Sequence, residues 1–125
     1  MSVKTMLLVN AVVAGFFGLA FLFVPEHIAA IYGVTREPSL PYMGQLLGLN
    51  LAGIAVLCWF ARDVPASETR TAIVRALFVT DGLGFVVSLM AQLRGVQNAI
   101  GWSTVAIYLL LALGWTYFIR AKPTA

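Results

Sequence analysis

Four long apolar segments, separated by short polar connections, constrain this chain more than any other feature. They cover residues 6–24, 42–61, 72–93 and 99–119, and only the third contains charged side chains. An α-helix rises 1.5 Å per residue, so about 20 residues cross the ~30 Å hydrocarbon core of a bilayer. The pattern therefore predicts four transmembrane helices.

The composition agrees with this prediction. The chain is 61% hydrophobic and 10% charged, whereas an ordinary soluble domain is about half apolar and about a quarter charged. A soluble domain of this size would leave much of that apolar surface in water. We therefore expect an all-α membrane protein, a four-transmembrane-helix bundle with short loops that forms a single domain over residues 1–125. The first segment is longer than the apolar part of a signal peptide, so we expect it to be a retained span.

The connection after the first segment contains a further helical pattern. Pro25 suits the first turn of a helix, and Gly33 suits the position just after its end. The string PEHIAAIYGV between Val24 and Thr35 therefore predicts a short helix lying in the membrane interface. Before the third segment, Ser67 or Thr69 is a candidate helix cap.

The basic residues are distributed unevenly between the two sides that four spans create. Cytoplasmic loops of membrane proteins are enriched in Lys and Arg, so the richer side is predicted to be cytoplasmic and to carry both termini. No basic run is interleaved with aromatic residues, so no nucleic-acid partner is expected. The richer side has Lys4, Arg62, Arg70, Arg75, Arg120 and Lys122, and the other side has Arg36 and Arg94.

Small residues recur at helical spacing in the first two segments. Gly44, Gly48 and Ala52 follow one another every four residues, and Gly15 and Gly18 each follow an alanine at the same spacing. Small residues at this interval let transmembrane helices approach closely. We expect these five positions to be helix-packing sites.

Asp81, near the middle of the third segment, is the leading candidate for a functional residue. An acidic group inside a membrane is costly and commonly marks a functional site. Asn50 and Tyr108 lie at similar depth in their own segments, so we expect them to surround the carboxyl group. Two interpretations stay open, a polar clamp that fixes helix order and a carboxyl that titrates protons or binds a cation. Arg75, six residues away, is expected to extend towards the headgroups.

Asp81 also begins a polar stripe. Gly84, Ser88 and Gln92 follow it on one helical face, and Gln45 and Thr104 lie at the depth of its outer end. These side chains predict either a set of interhelical hydrogen bonds or a periplasm-facing pocket for a quinone, an isoprenoid or a lipid head. Trp59, Trp102 and Trp115 lie near segment ends, which is typical of interfacial aromatic belts.

The sequence offers little support for catalysis or metal binding. Cys58 is the single cysteine and His27 the single histidine, whereas a metal site needs three or four ligands. No catalytic triad, phosphate-binding loop or HExxH string is present. A non-enzymatic protein without a cofactor or metal is therefore favoured.

Three strings resemble those of small four-helix bacterial membrane proteins, the DUF4345-like family. They are VPEHIAAIYGV after the first segment, LLGLNLAGIAVLCWFAR in the second, and VQNAIGWSTVAIYLLLALG leading into the fourth. The resemblance implies four spans and a bacterial inner membrane, and it implies no activity or catalytic residue.

These observations favour a non-enzymatic membrane protein that binds a lipophilic ligand or membrane partner through its periplasm-facing half. Asp81, Asn50 and Tyr108 would form the polar floor of the site, with membrane lipid around the bundle. One alternative is a small proton-coupled transporter that uses Asp81. Another is an accessory subunit of a larger membrane complex, joined through the face formed by Gly44, Gly48 and Ala52 (the Gly48 face). A homo-oligomer is also possible as a partner arrangement.

Overall fold

The computed structural model describes residues 2–34 and 37–120, and over these residues the regular structure is entirely helical. Four of the helices are long and apolar enough to cross a membrane. The protein is thus an integral, multi-pass, helical membrane protein, as predicted. The helices are α1 (Val3–Phe23), α2 (Pro25–Ile31), α3 (Leu40–Ala61), α4 (Glu68–Leu93) and α5 (Gly101–Arg120).

Helix caps explain where the helices begin relative to the apolar segments. The Ser2 side chain accepts a hydrogen bond from the Thr5 N–H (3.1 Å), so α1 begins three residues before the apolar segment. The Ser67 hydroxyl accepts one from the Arg70 N–H (3.2 Å), which lets α4 begin at Glu68. Each cap satisfies a backbone N–H that has no partner in the first helical turn. Both helices therefore begin before the predicted apolar segments, in short stretches that contain polar residues.

The predicted short helix after the first span is confirmed as α2. It ends at Ile31, and Gly33 follows with φ of 69°. The N–H groups of Gly33 and of the next residue donate to the carbonyls of Ala30 and Ala29, at 3.1 and 2.9 Å. This pair of bonds is the Schellman motif, which uses glycine because other residues rarely adopt positive φ. The placement of α2 in the membrane interface stays a prediction.

The end of α4 has the same turn. Gly95 has φ of 75°, its N–H donates to the Gln92 carbonyl, and the Val96 N–H donates to the Ala91 carbonyl, both at 3.1 Å. The chain can therefore reverse over a few residues before α5. This turn sets the register of the α4–α5 hairpin.

The chain divides into two compact units, Met1–Arg62 and Asp63–Ala125. The first contains α1, α2 and α3, and the second contains α4 and α5. The single domain over residues 1–125 and the cytoplasmic termini stay predictions. Arg36 and Lys122, which contribute to the charge comparison, lie outside the described residues.

In the first unit, α1 and α3 pack with their backbones in contact. A Cβ atom added to Gly18 would lie 2.7 Å from the Ala52 nitrogen, and one added to Gly48 would lie 2.7 Å from the Gly18 oxygen. These distances are too short for any side chain. Glycine is therefore required on both helices, which is how small residues bring transmembrane helices together.

The outer surfaces of the long helices are apolar. Between 11% and 28% of the residues in the four spans are buried, and side chains such as Val12, Phe60 and Leu93 are at least 70% exposed. Soluble monomers rarely expose contiguous apolar patches of more than a few hundred Å². Such a surface fits a protein whose solvent is lipid.

Candidate functional site

A buried hydrogen bond between Asp81 and Trp115 is the centre of the candidate site. Asp81 lies halfway along the 26-residue α4 and is 5% exposed. The indole nitrogen of Trp115, a side chain with no exposed surface, donates to Asp81 Oδ2 at 2.8 Å. Buried polar groups are costly unless they are hydrogen-bonded, and an intramembrane acid needs a partner most of all. The bond therefore joins α4 to α5 through a buried carboxyl group within a candidate span.

Trp115 corrects the sequence interpretation. Its assignment to an interfacial aromatic belt is wrong, because the ring is completely buried, whereas Trp59 and Trp102 are 51% and 46% exposed. Its position follows from the hairpin once the turn and the start of α5 are known. Asp81 lies 14 residues before Gly95, and Trp115 lies 14 residues after the start of α5 at Gly101. Equal distances from a tight turn place two side chains at the same depth.

Tyr108 lies on the same face of α5, two turns from Trp115. A Cβ atom added to Gly84 would lie 2.5 Å from Tyr108 Cδ1 and 2.8 Å from its Cζ. The tyrosine ring thus packs directly on the α4 backbone at Gly84, one turn from Asp81. Of the two predicted neighbours of Asp81, Tyr108 is placed beside it within the same hairpin, and the ring is partly buried.

The outer end of the polar stripe is bonded largely within the hairpin itself. Ser88 Oγ donates to the Phe85 carbonyl at 3.1 Å, and Gln92 Nε2 donates to the Asn98 carbonyl at 2.9 Å. Gln92 Oε1 is buried without a hydrogen-bond partner in the described part of the chain. Gln92 therefore ties the end of α4 to the turn. Thr104 is partly buried on α5, and the predicted pocket at this end stays a prediction.

Asn50 and Gln45 belong to the other compact unit. Both are exposed, and each has a backbone partner. Asn50 Nδ2 donates to the Leu46 carbonyl at 2.9 Å, and Gln45 Nε2 donates to the Leu22 carbonyl at 3.3 Å. The predicted association of Asn50 with Asp81 joins residues of separate units and stays a prediction.

The remaining packing positions of the first unit lie against neighbouring helices. A Cβ atom added to Gly44 would lie 3.1 Å from the Pro25 Cβ, and one added to Gly15 would lie 3.6 Å from the Ala55 Cβ. Together with Gly18 and Gly48, these residues form the contact of α3 with α1 and the start of α2. The Gly48 face is therefore covered by the same chain.

Asn10 is a buried polar residue that sequence reasoning did not include in the site. It lies within α1 and is 1% exposed. The signal was available, because Asn10 is the one strongly polar side chain in an otherwise apolar first segment. Polar side chains inside a membrane face protein or water because lipid cannot satisfy them. Asn10 is therefore a second candidate polar position, in the first unit.

The chemistry of the Asp81–Trp115 pair follows from the two groups. An indole N–H only donates, so the carboxyl oxygen that it contacts is an acceptor. A carboxyl oxygen can accept this bond whether the group is ionised or protonated. The pair can thus persist through a change of protonation. Among residues 2–34 and 37–120, no group of three His, Cys, Asp or Glu side chains is placed to hold a metal ion.

The fold and site together define a class, an integral membrane protein with an acidic side chain buried in one of its spans. No protein-family model matches the chain, and no curated protein or solved structure is significantly similar to it. The resemblance to the DUF4345-like family stays a prediction.

Proposed function

We propose that this protein is a non-enzymatic membrane protein that binds a lipophilic ligand carrying an ammonium group or another hydrogen-bond donor, with Asp81 as the polar anchor. The observation that carries the proposal is the burial of the Asp81 carboxyl halfway along α4, bonded to Trp115. A hydrogen-bond donor or a positive charge is the natural partner of a carboxyl group in an apolar surrounding.

The neighbouring side chains support this class of ligand. Ligand pockets are mainly apolar, with a few polar groups that fix orientation. Trp115 and Tyr108 provide two aromatic rings on the α5 side of the hairpin, and such rings attract cations through their faces. Beyond Asp81, Ser88 Oγ and Gln92 Nε2 donate to backbone carbonyls. Asp81 is the acidic group of this face, so recognition of a cationic or hydrogen-bond-donating ligand is proposed through Asp81.

We also propose how this site is oriented in the membrane. Both termini lie in the cytoplasm, as the distribution of basic residues indicates, and the half of α4 beyond Asp81 faces the periplasm of a bacterial inner membrane. Membrane lipid surrounds the spans. This orientation gives a lipophilic ligand access to Asp81 from the outer leaflet.

The experiment measures saturable binding of two probes, a long-chain alkylamine and a long-chain alcohol, to protein in lipid nanodiscs by equilibrium dialysis. Wild-type protein should bind at least one probe, and Asp81→Asn should abolish that binding while Asp81→Glu retains part of it. Thr80→Ala is the matched control, because Thr80 is the exposed neighbour whose hydroxyl bonds to the Ala76 carbonyl. Circular dichroism establishes that each variant is folded.

Two results would overturn the proposal. The first is that neither probe binds saturably to the wild-type protein. The second is that folded Asp81→Asn binds as well as the wild type, because the carboxyl group would then have no part in recognition.

A proton-coupled transporter that uses Asp81 is the second candidate function. It is favoured by the same pair, since the Trp115 bond can be kept in either protonation state of the carboxyl group. In proteoliposomes, a proton gradient should then drive uptake of the bound probe, and Asp81→Asn should abolish uptake. Binding without gradient-dependent uptake would leave the simpler ligand-binding function.

An accessory-subunit or homo-oligomer role stays a third proposal. The Gly48 face is covered by α1 within the same chain, so a partner would have to use the exposed apolar surfaces instead. Co-purification of a stoichiometric second protein from the native membrane, or a dimer mass in detergent, would support this role.

A further inference from the structure

An exposed amide, that of Asn50, lies at the middle of a span. Asn50 is halfway along the 22-residue α3, so about 15 Å of helix separates it from either end. The residue is exposed. Lipid cannot hydrogen-bond to a polar side chain, so polar residues within a span ordinarily face protein or water. The surface around Asn50 is therefore a candidate protein contact.

Exposed residues continue from Asn50 in both directions along one face of α3. They recur at alternating intervals of three and four residues, which is the spacing of the a and d positions in a helix that packs against a parallel partner. Met43, Leu57 and Phe60 are 57%, 45% and 75% exposed. The whole set, called the heptad stripe below, consists of Met43, Leu46, Asn50, Gly53, Leu57 and Phe60.

The heptad stripe lies on the side of α3 that faces away from α1. Gly48 contacts the α1 backbone, and Asn50, two residues further along, lies about 200° from it around the helix. A partner can therefore reach the stripe without displacing α1. A Cβ atom added to Gly53 would have no described neighbour within 4 Å, and a small residue at this position lets another helix approach closely.

We propose that the heptad stripe is the interface of a homodimer, in which α3 packs against α3 of a second copy around a two-fold axis along the membrane normal. Two copies inserted in the same orientation hold Asn50 at the same depth. The axis therefore brings each Asn50 amide opposite its counterpart, as a two-fold interface does for any residue on the axis. This interface is independent of ligand binding at Asp81.

The chemistry of the amide selects a second copy as the partner. A side-chain amide has two N–H donors and a carbonyl acceptor, so it is complementary to another amide. One N–H of Asn50 donates to the Leu46 carbonyl at 2.9 Å, and the second N–H and the oxygen are the groups that would pair. A partner of different sequence would need its own polar group at this depth, whereas a second copy supplies one by symmetry. A single Asn in a heptad seam also fixes the register of two parallel helices.

The first test maps the interface by disulfide formation. Single cysteines replace Leu46, Asn50 or Leu57 in full-length protein with Cys58→Ala, and membranes are treated with a mild oxidant. Each cysteine of the stripe should form a disulfide between copies, seen as a doubled mass on a non-reducing gel, because residues near a two-fold axis meet their own counterparts. Leu49→Cys is the matched control. Leu49 is 59% exposed and lies at the depth of Asn50 but about 100° away around the helix, so this variant should stay monomeric.

The second test measures the contribution of Asn50. Energy transfer between donor-labelled and acceptor-labelled copies in liposomes gives the dimer dissociation constant as lipid is added. Asn50→Ala should raise this constant about fivefold, which corresponds to ~1 kcal/mol of transmembrane hydrogen bonding. Gln45→Ala removes another exposed amide of α3, outside the stripe, and should leave the constant unchanged. Circular dichroism establishes that each variant is folded.

Three results would overturn the proposal. The first is a disulfide yield at the stripe positions no higher than that of Leu49→Cys. The second is a folded Asn50→Ala variant that dimerises as tightly as the wild type. The third is a disulfide within one chain in the double variant Asn50→Cys and Asp81→Cys, because the second unit of the same chain would then cover the stripe. Neither test uses a ligand, so their failure is distinct from a failure of binding at Asp81.

Discussion

The contact between α1 and α3 gives a sharp prediction for Gly48→Ala. The added Cβ atom would lie 2.6 Å from the Leu22 nitrogen and 2.7 Å from the Gly18 oxygen. Carbon atoms in favourable contact are separated by about 3.5–4.0 Å, so the two helices must move apart by about 1 Å. Because both obstructing atoms belong to the backbone, no change of side-chain rotamer can relieve the overlap.

Gly53→Ala is the matched control for this substitution. Gly53 lies on the same helix, and an added Cβ atom there would have no neighbour within 4 Å. Both changes should gain the same helix propensity, about 1 kcal/mol, which cancels when the two variants are compared. Overpacking costs about 1–3 kcal/mol, and contact with backbone favours the upper end. We therefore expect Gly48→Ala to be less stable than Gly53→Ala by about 3 kcal/mol.

The accessibility of the Cys58 thiol to a maleimide provides the measurement of unfolding. It is the single cysteine of the chain and its side chain is fully buried, so a maleimide should label it only when the structure opens. The protein is titrated with sodium dodecyl sulfate in mixed micelles and labelled briefly at each step. Gly48→Ala should unfold at a lower detergent fraction than the wild type, and Gly53→Ala at an equal or higher one. Identical midpoints for the two variants would refute the backbone contact of α1 with α3.

Two further predictions use the remaining glycines. Gly84→Ala should unfold at a lower detergent fraction than Gly82→Ala, by about 1–3 kcal/mol, because an aromatic ring of α5 lies against Gly84 whereas the space at Gly82 is open. Circular dichroism measures this unfolding, since Cys58 lies in the other unit, and equal midpoints would contradict this packing. The pair Gly15→Cys and Ala55→Cys should form a disulfide under mild oxidation, seen as a shift on a non-reducing gel. The Cβ distance of 3.6 Å lies within the usual disulfide range of about 3.5–4.5 Å, and failure to oxidise would contradict the register of the two helices.

The fold could be predicted from the sequence because membrane spans are encoded by length and apolarity, two properties that are read directly from the residues. The helix starts were less accurate, although the predicted Ser67 cap of α4 is confirmed. Ser2 and Ser67 cap α1 and α4 before their apolar segments begin, and a cap depends on backbone geometry as well as residue type. In contrast, the short α2 and its glycine turn follow a local pattern, and both were predicted.

The neighbourhood of Asp81 could be predicted in part, while its role in ligand binding stays a prediction. Asp81 and Tyr108 lie in one hairpin, as depth along the helices suggested, and Trp115 of the same hairpin donates a hydrogen bond to Asp81. Two effects compete for a tryptophan near the end of a span. The indole ring favours the membrane interface, and a buried carboxyl group needs a hydrogen-bond donor such as the indole N–H. The burial of Asp81 outweighs the interfacial preference, because an unpaired acid in an apolar surrounding costs more than moving one indole ring inwards.

The polar stripe of α4 shows why a sequence pattern by itself is compatible both with a polar clamp between helices and with a ligand pocket. Gln92 ties α4 to the turn before α5, and Gly84 receives the ring of Tyr108, so both members of the stripe stabilise the hairpin. Ser88 bonds to its own helix. Asp81 differs from them because its donor is a side chain, which can move away without breaking a helix. A ligand could therefore exchange with Trp115 at Asp81 while the backbone hydrogen bonds of both helices stay intact.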